Sequence, residues 1–245
     1  MIKIRLVVIC CSLLGCIRLA AQDAFGVEYY SLNRYTEEQS MPEPEIKNLI
    51  IGDSVSFFVS LDKDLSIDEK CYSVFKDYPQ EGMLTYKDYI FGEPFYYQER
   101  IPEFDWEVLE GDSVVCGYIC QKAKTKFRGR EWIAWYALGL PYPDGPWKLC
   151  GLPGLILKAQ DVKGDYLFVA QKIGHKNVSK LKLSTKGYKR TTAKDFSLDL
   201  EHSYKDPFAF VEETKRIKTI VNIDGHAYHP TSKTACMLEY FPKEK

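Results

Sequence analysis

From residue 23 onward, apolar and polar positions alternate over short stretches. These are rich in Val, Ile, Tyr, Phe and Trp and are punctuated by Gly, Pro, Asp and Asn. A period of two over such lengths predicts half-buried β-strands. Strands are expected over 25–32, on either side of Gly52-Asp53 within 48–59, and over 96–101 and 105–110. Two hairpins follow. One joins 114–127 to 131–138 through Arg128-Gly129-Arg130, and the other joins 155–161 to 165–173 through Lys163-Gly164. Chain-adjacent strands linked by tight turns make an antiparallel sheet. No strand-helix-strand rhythm is visible, which argues against a parallel nucleotide-binding sheet.

Parity assigns faces along 118–127. Ile119, Gln121, Ala123, Thr125 and Phe127 share one face, and Lys122, Lys124 and Lys126 share the other. The first is expected to pack and the lysines to meet water; an anion track is the less economical reading. Helical patterns are few. Residues 62–76 are one candidate. Thr192 with Asp195 resembles a capping box ahead of Phe196, Leu200 and Tyr204. Asp206-Pro207 makes a helix start with Phe208 and Val211 on one face. The stretch 37–45, with Pro42 and Pro44, reads as an exposed loop, and 236–242 as a closing strand. The fold expected is mainly β: a curved antiparallel sheet or half-open barrel with a few short helices, in one domain over 23–245.

The first 22 residues break this pattern. Lys3 and Arg5 precede an apolar run over 6–17, long enough for the core of an export signal and too short to span a bilayer. Cleavage near Ala20-Ala21-Gln22 is the favoured processing. The alternative takes Leu13-Leu14-Gly15-Cys16 as a lipobox, with Cys16 as lipid anchor. The chain is thus expected to be exported, periplasmic or associated with the outer membrane. Loss of Lys3, Arg5 and Arg18 moves the net charge of the 245-residue chain from −1 to −4. Such a surface has no electrostatic footprint for nucleic acid. Of eight cysteines, Cys10, Cys11 and Cys16 leave with the signal; Cys71, Cys116, Cys120, Cys150 and Cys236 remain.

Half of residues 139–154 are Gly or Pro. A long loop of that composition is stiff and shaped, because proline fixes φ and glycine permits close approach or φ > 0. Here the chain resembles a known family. Gly151-Leu152-Pro153-Gly154-Leu155-Ile156 spells the motif that names the GLPGLI family of Bacteroidota. The strand Gly117-Tyr118-Ile119-Cys120-Gln121-Lys122-Ala123, the hairpin residues Phe127-Arg128-Gly129-Arg130 and Ala134-Trp135-Tyr136-Ala137, and the lead Asp144-Gly145-Pro146-Trp147-Lys148 are similar to that family's pattern in the same order. So is Gly52-Asp53-Ser54 followed by Ser56 and Phe57. The resemblance implies an exported, β-rich envelope protein. It carries over no activity and no catalytic set.

Chemistry is sparse. There is no nucleophile elbow, phosphate loop or His-Glu-x-x-His motif. Asp224, His226 and His229 form one metal-like cluster, read more simply as a solvated loop, so no metal or cofactor is assigned. Cys116 and Cys120 lie about 13 Å apart on a regular strand, too far to bond unless Gly117 bulges. Cys150 is a plausible disulfide partner for Cys116 or Cys120. The ligand-binding candidates are Arg128, Arg130, Trp132, Trp135, Tyr136 and Trp147: arginines beside aromatics suit a carboxylate, a phosphate or a carbohydrate edge. The plainer reading pairs the arginines with nearby acids and puts the aromatics in the core. The function expected is a non-enzymatic binding or chaperone-like role toward an apolar or peptidic ligand, with lipid, peptide or an outer-membrane protein as partner. Two alternatives stand beside it: a structural partner of an outer-membrane transport complex using an exposed Gly/Pro loop, and an unrecognised hydrolase.

Overall fold

The computed structural model describes residues 23–39, 43–77, 82–177, 181–215, 222–223, 226–227, 233, 237–239 and 241. Residues 1–22, read above as an export signal, and Cys236, Asp224 and His229 lie outside them. Strands β1 (Asp23–Asn33), β2 (Glu43–Ile51), β3 (Val55–Val59), β4 (Ser73–Asp77), β5 (Met83–Ile90) and β6 (Glu93–Arg100) run as one antiparallel meander. Strands β7 (Glu107–Val115), β8 (Tyr118–Phe127), β9 (Arg130–Ala137), β10 (Leu155–Asp161) and β11 (Tyr166–Asn177) form a second. β1 pairs with β11 and joins the two, and the short β12 (Lys189–Arg190) adds to β6 in parallel. The result is one open sheet of 12 strands in the order β12-β6-β5-β4-β3-β2-β1-β11-β10-β9-β8-β7. Helices α1 (Ala193–Lys205) and α2 (Pro207–Lys215) follow, then the small pair β13 (Asn222–Ile223) and β14 (His226–Ala227).

The sheet is mainly antiparallel and strongly curved, and two observations fix the curvature. Six residues, 101–106, carry the chain from β6 to β7 at the opposite edge. They span at most about 25 Å, whereas a flat sheet would hold those strands about 48 Å apart. Arg128, between β8 and β9, also pairs with Glu99 of β6 at 2.6 Å. The concave face therefore encloses a core that includes Tyr29, Phe58, Trp132, Trp147 and Phe168, with Phe196 of α1 packed into it. On the convex side Val55, Phe57, Val59 and Phe75 are covered by Ile67 and Leu181. Burial on both faces explains why β3 is buried throughout and apolar at every position but Ser56.

Three hairpins turn on two residues with positive φ, a non-glycine followed by glycine: Phe91-Gly92, Cys116-Gly117 and Arg128-Gly129. Such turns match the twist of the flanking strands. The second corrects the continuous strand expected over 114–127. The chain reverses at Cys116-Gly117, so Val114 lies opposite Ile119. β8 pairs with β9 only from Gln121 onward, and beyond that contact the predicted packing face fails: Ile119 is 72% exposed and Cys120 is buried. From 121 to 127 the expected parity holds, with Ala123 and Thr125 buried.

Thr192 caps α1, accepting from the Asp195 N–H at 3.1 Å and donating to its carboxylate at 2.8 Å. Pro207 opens α2 as expected. The helix expected over 62–76 is absent. Asp62 accepts from the N–H groups of Asp64 and Ser66, a local alternative to helix, and 73–77 is strand β4. Residues 43–45, expected in a loop, pair with β1. Of the predicted closing strand, residues 237, 238, 239 and 241 are described and belong to no strand.

Candidate functional site

The motif loop is the first element that positions the site. Only its tips, such as Pro141, Pro143, Gly151 and Pro153, are exposed; 144–150 is buried. Lys76 of β4, itself 1% exposed, donates to the Asp144 carboxylate at 2.5 Å and to the carbonyls of Gly145 and Leu149. Asp144 also accepts from the Gly145 N–H. Trp106 donates its indole N–H to the Cys150 carbonyl at 2.8 Å, and Tyr29 its hydroxyl to the Ile156 carbonyl. A charged residue so buried needs its whole hydrogen-bonding capacity met. Lys76 therefore acts as a hook that seats the loop on the concave face.

That seating brings Trp147 and Lys148 against α1 and β6. There, Tyr72, Tyr86, Tyr97, Tyr166, Trp147, Phe196 and the segment 237–239 line a partly open cavity of about 60 Å³. Tyr72, Tyr86 and Tyr97 stack, with centroids 6.0 and 4.9 Å apart and rings within 17° of parallel. Tyr86 and Tyr97 are direct cross-strand partners. A lysine sits at each end of the stack: Lys47 lies 3.7 Å over Tyr72, and Lys148 lies 4.8 Å over Tyr97. Both ammonium groups are desolvated, where a ring face attracts a cation most strongly. Lys148 donates to the Tyr97 hydroxyl at 2.9 Å and to Glu99 at 2.5 Å, and pairs with Glu239. Burial pushes the Tyr72, Tyr86 and Tyr97 phenols well up, so they stay neutral.

Asp88 on the same wall accepts from the Tyr86 hydroxyl at 2.9 Å and from the Tyr89 N–H at 2.8 Å. Burial nevertheless pushes its carboxyl up to about 6. Three buried polar groups lining the cavity have no hydrogen-bond partner among the described residues: the Asn33 amide nitrogen, the Tyr72 hydroxyl and the Trp147 indole N–H. All three can donate.

The six predicted binding residues separate. Arg130 is buried against Asp161 at 2.6 Å, Asp165 at 2.9 Å and the Met237 carbonyl at 2.5 Å. Arg128 pairs with Glu99 and lies 4.4 Å over Phe241. Trp132 and Trp147 are fully buried and 5.5 Å apart. Tyr136 is buried and donates to Gln121. Trp135 is half-buried at the margin of the main core, with Lys158 4.3 Å over it. They do not form one exposed surface, because Arg130, Trp132, Tyr136 and Trp147 are buried in the interior that the curl of the sheet creates.

The expected disulfide of Cys150 with Cys116 or Cys120 is not formed. Among the described residues, no disulfide joins Cys71, Cys116, Cys120 and Cys150 to one another. Cys116 is held in its hairpin turn, while Cys150 Sγ faces the Pro102 carbonyl at 3.9 Å. Burial raises the Cys71, Cys116 and Cys120 thiols, which keeps them protonated and unreactive. Sequence reasoning missed Asn33, Lys47, Tyr72, Tyr86, Asp88, Tyr97 and Lys148. One signal was available: a lysine between Trp147 and Leu149 in a Gly/Pro-rich apolar loop has nowhere to go but inward.

No protein-family model matches the chain, and no curated protein matches it. Among solved structures the fold is similar to PNGF-II in a C2 crystal form, with TM-score 0.52 and 14% identity over 75% of this chain and 34% of that one. A P21 form of PNGF-II gives TM-score 0.52 and 15% identity, covering 74% and 33%. The chain thus spans about a third of the PNGF-II chain. At this identity the likeness is one of fold.

Proposed function

We propose that this chain is an exported, non-enzymatic binding protein of the cell envelope, of the GLPGLI type, which holds an apolar or peptidic ligand in the concavity of its sheet. The observation that carries the reading is the tyrosine-lined cavity with three buried, unpartnered donors. Leaving a buried polar group unsatisfied costs about 1–3 kcal/mol, and a ligand bearing carbonyl or hydroxyl acceptors removes that penalty. Aromatic walls with a few placed polar groups match the chemistry of a small-molecule site, and a volume of about 60 Å³ admits one small group of such a ligand. Export through residues 1–22, with processing near Ala20-Ala21-Gln22 or lipidation at Cys16, belongs to the same reading. Because 144–150 is buried, the Gly/Pro loop serves as a seat for the cavity wall, and no observation favours it as an exposed partner surface.

Native mass spectrometry of protein purified from the envelope tests this. The expected result is a bound mass lost on denaturation. Ala193→Trp, which projects a ring into the cavity from the first turn of α1, removes that mass while cooperative unfolding persists. A bare protein mass in repeated preparations overturns the reading.

A further inference from the structure

Residues 237–241 end the described chain in an unusual way. The described residues 237, 238, 239 and 241 belong to no strand, yet four groups grip three of them, Met237, Glu239 and Phe241. Arg130 donates to the Met237 carbonyl at 2.5 Å, and the Met237 side chain is buried. Ser197 of α1 donates to the Glu239 carbonyl at 2.7 Å. Lys148 pairs with the Glu239 carboxylate. Arg128 covers the ring of Phe241. Two of these groups, Arg128 and Arg130, are among the binding candidates read from the hairpin tip.

Each cation that grips the segment also has a partner in the body of the fold. Arg130 keeps Asp161 and Asp165, Lys148 keeps Glu99 and the Tyr97 hydroxyl, and Arg128 keeps Glu99. Withdrawing the segment therefore leaves no buried cation uncompensated, and the groove stands without it. With three body carboxylates facing three cations, Glu239 is an added acid, and burial raises its carboxyl despite Lys148. Met237, Leu238 and Glu239 also form one wall of the tyrosine-lined cavity.

We infer that the groove between the β8–β9 turn, the motif loop and α1 is a peptide-binding site, and that segment 237–241 is its built-in, displaceable occupant. The inference rests on the binding-protein reading and names its ligand class: an extended peptide with a buried apolar residue, an acidic residue two positions later and an aromatic two beyond that. Backbone carbonyls read by Arg130 and Ser197 set its direction. Lys148 and Arg128 select its side chains.

The test uses the full chain and a fluorescein-labelled synthetic peptide spanning residues 233–242, with serine in place of Cys236. Met237→Asp in the protein places a charge in an apolar seat and evicts the segment. The expected result is that the peptide binds this variant at least tenfold more tightly than wild type, by anisotropy. A peptide carrying the same Met→Asp change does not bind. Should Met237→Asp fail to fold, Met237→Ala gives the same comparison with a smaller gain. No gain in a folded variant overturns the inference. A co-purifying mass in wild-type protein would then still sustain the broader reading, so the two fail separately.

Discussion

Gly154 has no room for a side chain. A Cβ there would lie 2.3 Å from the Ala137 carbonyl oxygen, whereas one at Gly139 would meet open space. From the motif alone, close approach and positive φ were equal explanations for this glycine; Gly154 is not among the positive-φ residues, and the tertiary contact is the reason. Gly154→Ala is expected to cost about 1–3 kcal/mol, as overpacking does, and to lower Tm by roughly 5 °C in a thermal melt. Gly139→Ala leaves Tm unchanged. Asp88 acts through its charge. Below about pH 4 its carboxyl is protonated folded and unfolded alike. Between about pH 4 and 6 the folded chain keeps a proton that the unfolded chain has lost, so stability falls as pH rises through that window. Since Asp88 is only half-buried, the loss above pH 6 is about 1–2 kcal/mol. Asp88→Asn removes it: urea midpoints for the variant exceed wild type at pH 7.5 and coincide with it at pH 4.

The hook that seats the motif loop works at the scale of elements. Lys76 and Asp144 are 68 positions apart, and their 2.5 Å pair joins β4 to the loop between β9 and β10. Removing one partner from a buried pair strands the other charge, at a cost of about 3–5 kcal/mol. Asp144→Ala is therefore expected to lower Tm by roughly 10 °C. The double change Lys76→Met with Asp144→Leu recovers part of that loss, because no charge is left behind. Scanning calorimetry of the three proteins checks both statements. The elements themselves were unevenly legible. β8, β9, β10 and the cap of α1 stand out because alternation, X-Gly turns and the Thr192–Asp195 pair are local signals. β4 was misread as helix because the Asp62 and Asp68 side chains accept from the N–H groups of Asp64, Ser66 and Lys70 in the preceding backbone, which masks where the strand begins.

Over the whole molecule, curvature turns two meanders into a container. The ion pair of Arg128 with Glu99 bridges strands that a flat sheet would hold about 38 Å apart. Lys148, Tyr97 and Glu239 meet for the same reason. The site candidates read from sequence were drawn from one hairpin and one loop, since spacing reports only neighbours along the chain. The cavity instead takes Asn33 from β1, Asp88 from β5, Tyr97 from β6, Trp147 from the motif loop and Phe196 from α1. By itself, the sequence determined the β-rich antiparallel class, the main hairpins and the stiffness of the motif loop, all properties of residues within a few positions of each other. Only the tertiary structure decided that Arg130, Trp132 and Trp147 are interior, that Cys150 is not bonded to Cys116 or Cys120, and that the tyrosines of three adjoining segments line one cavity. Those outcomes depend on the closing curl of the sheet, a sum of small strand twists that no local pattern records.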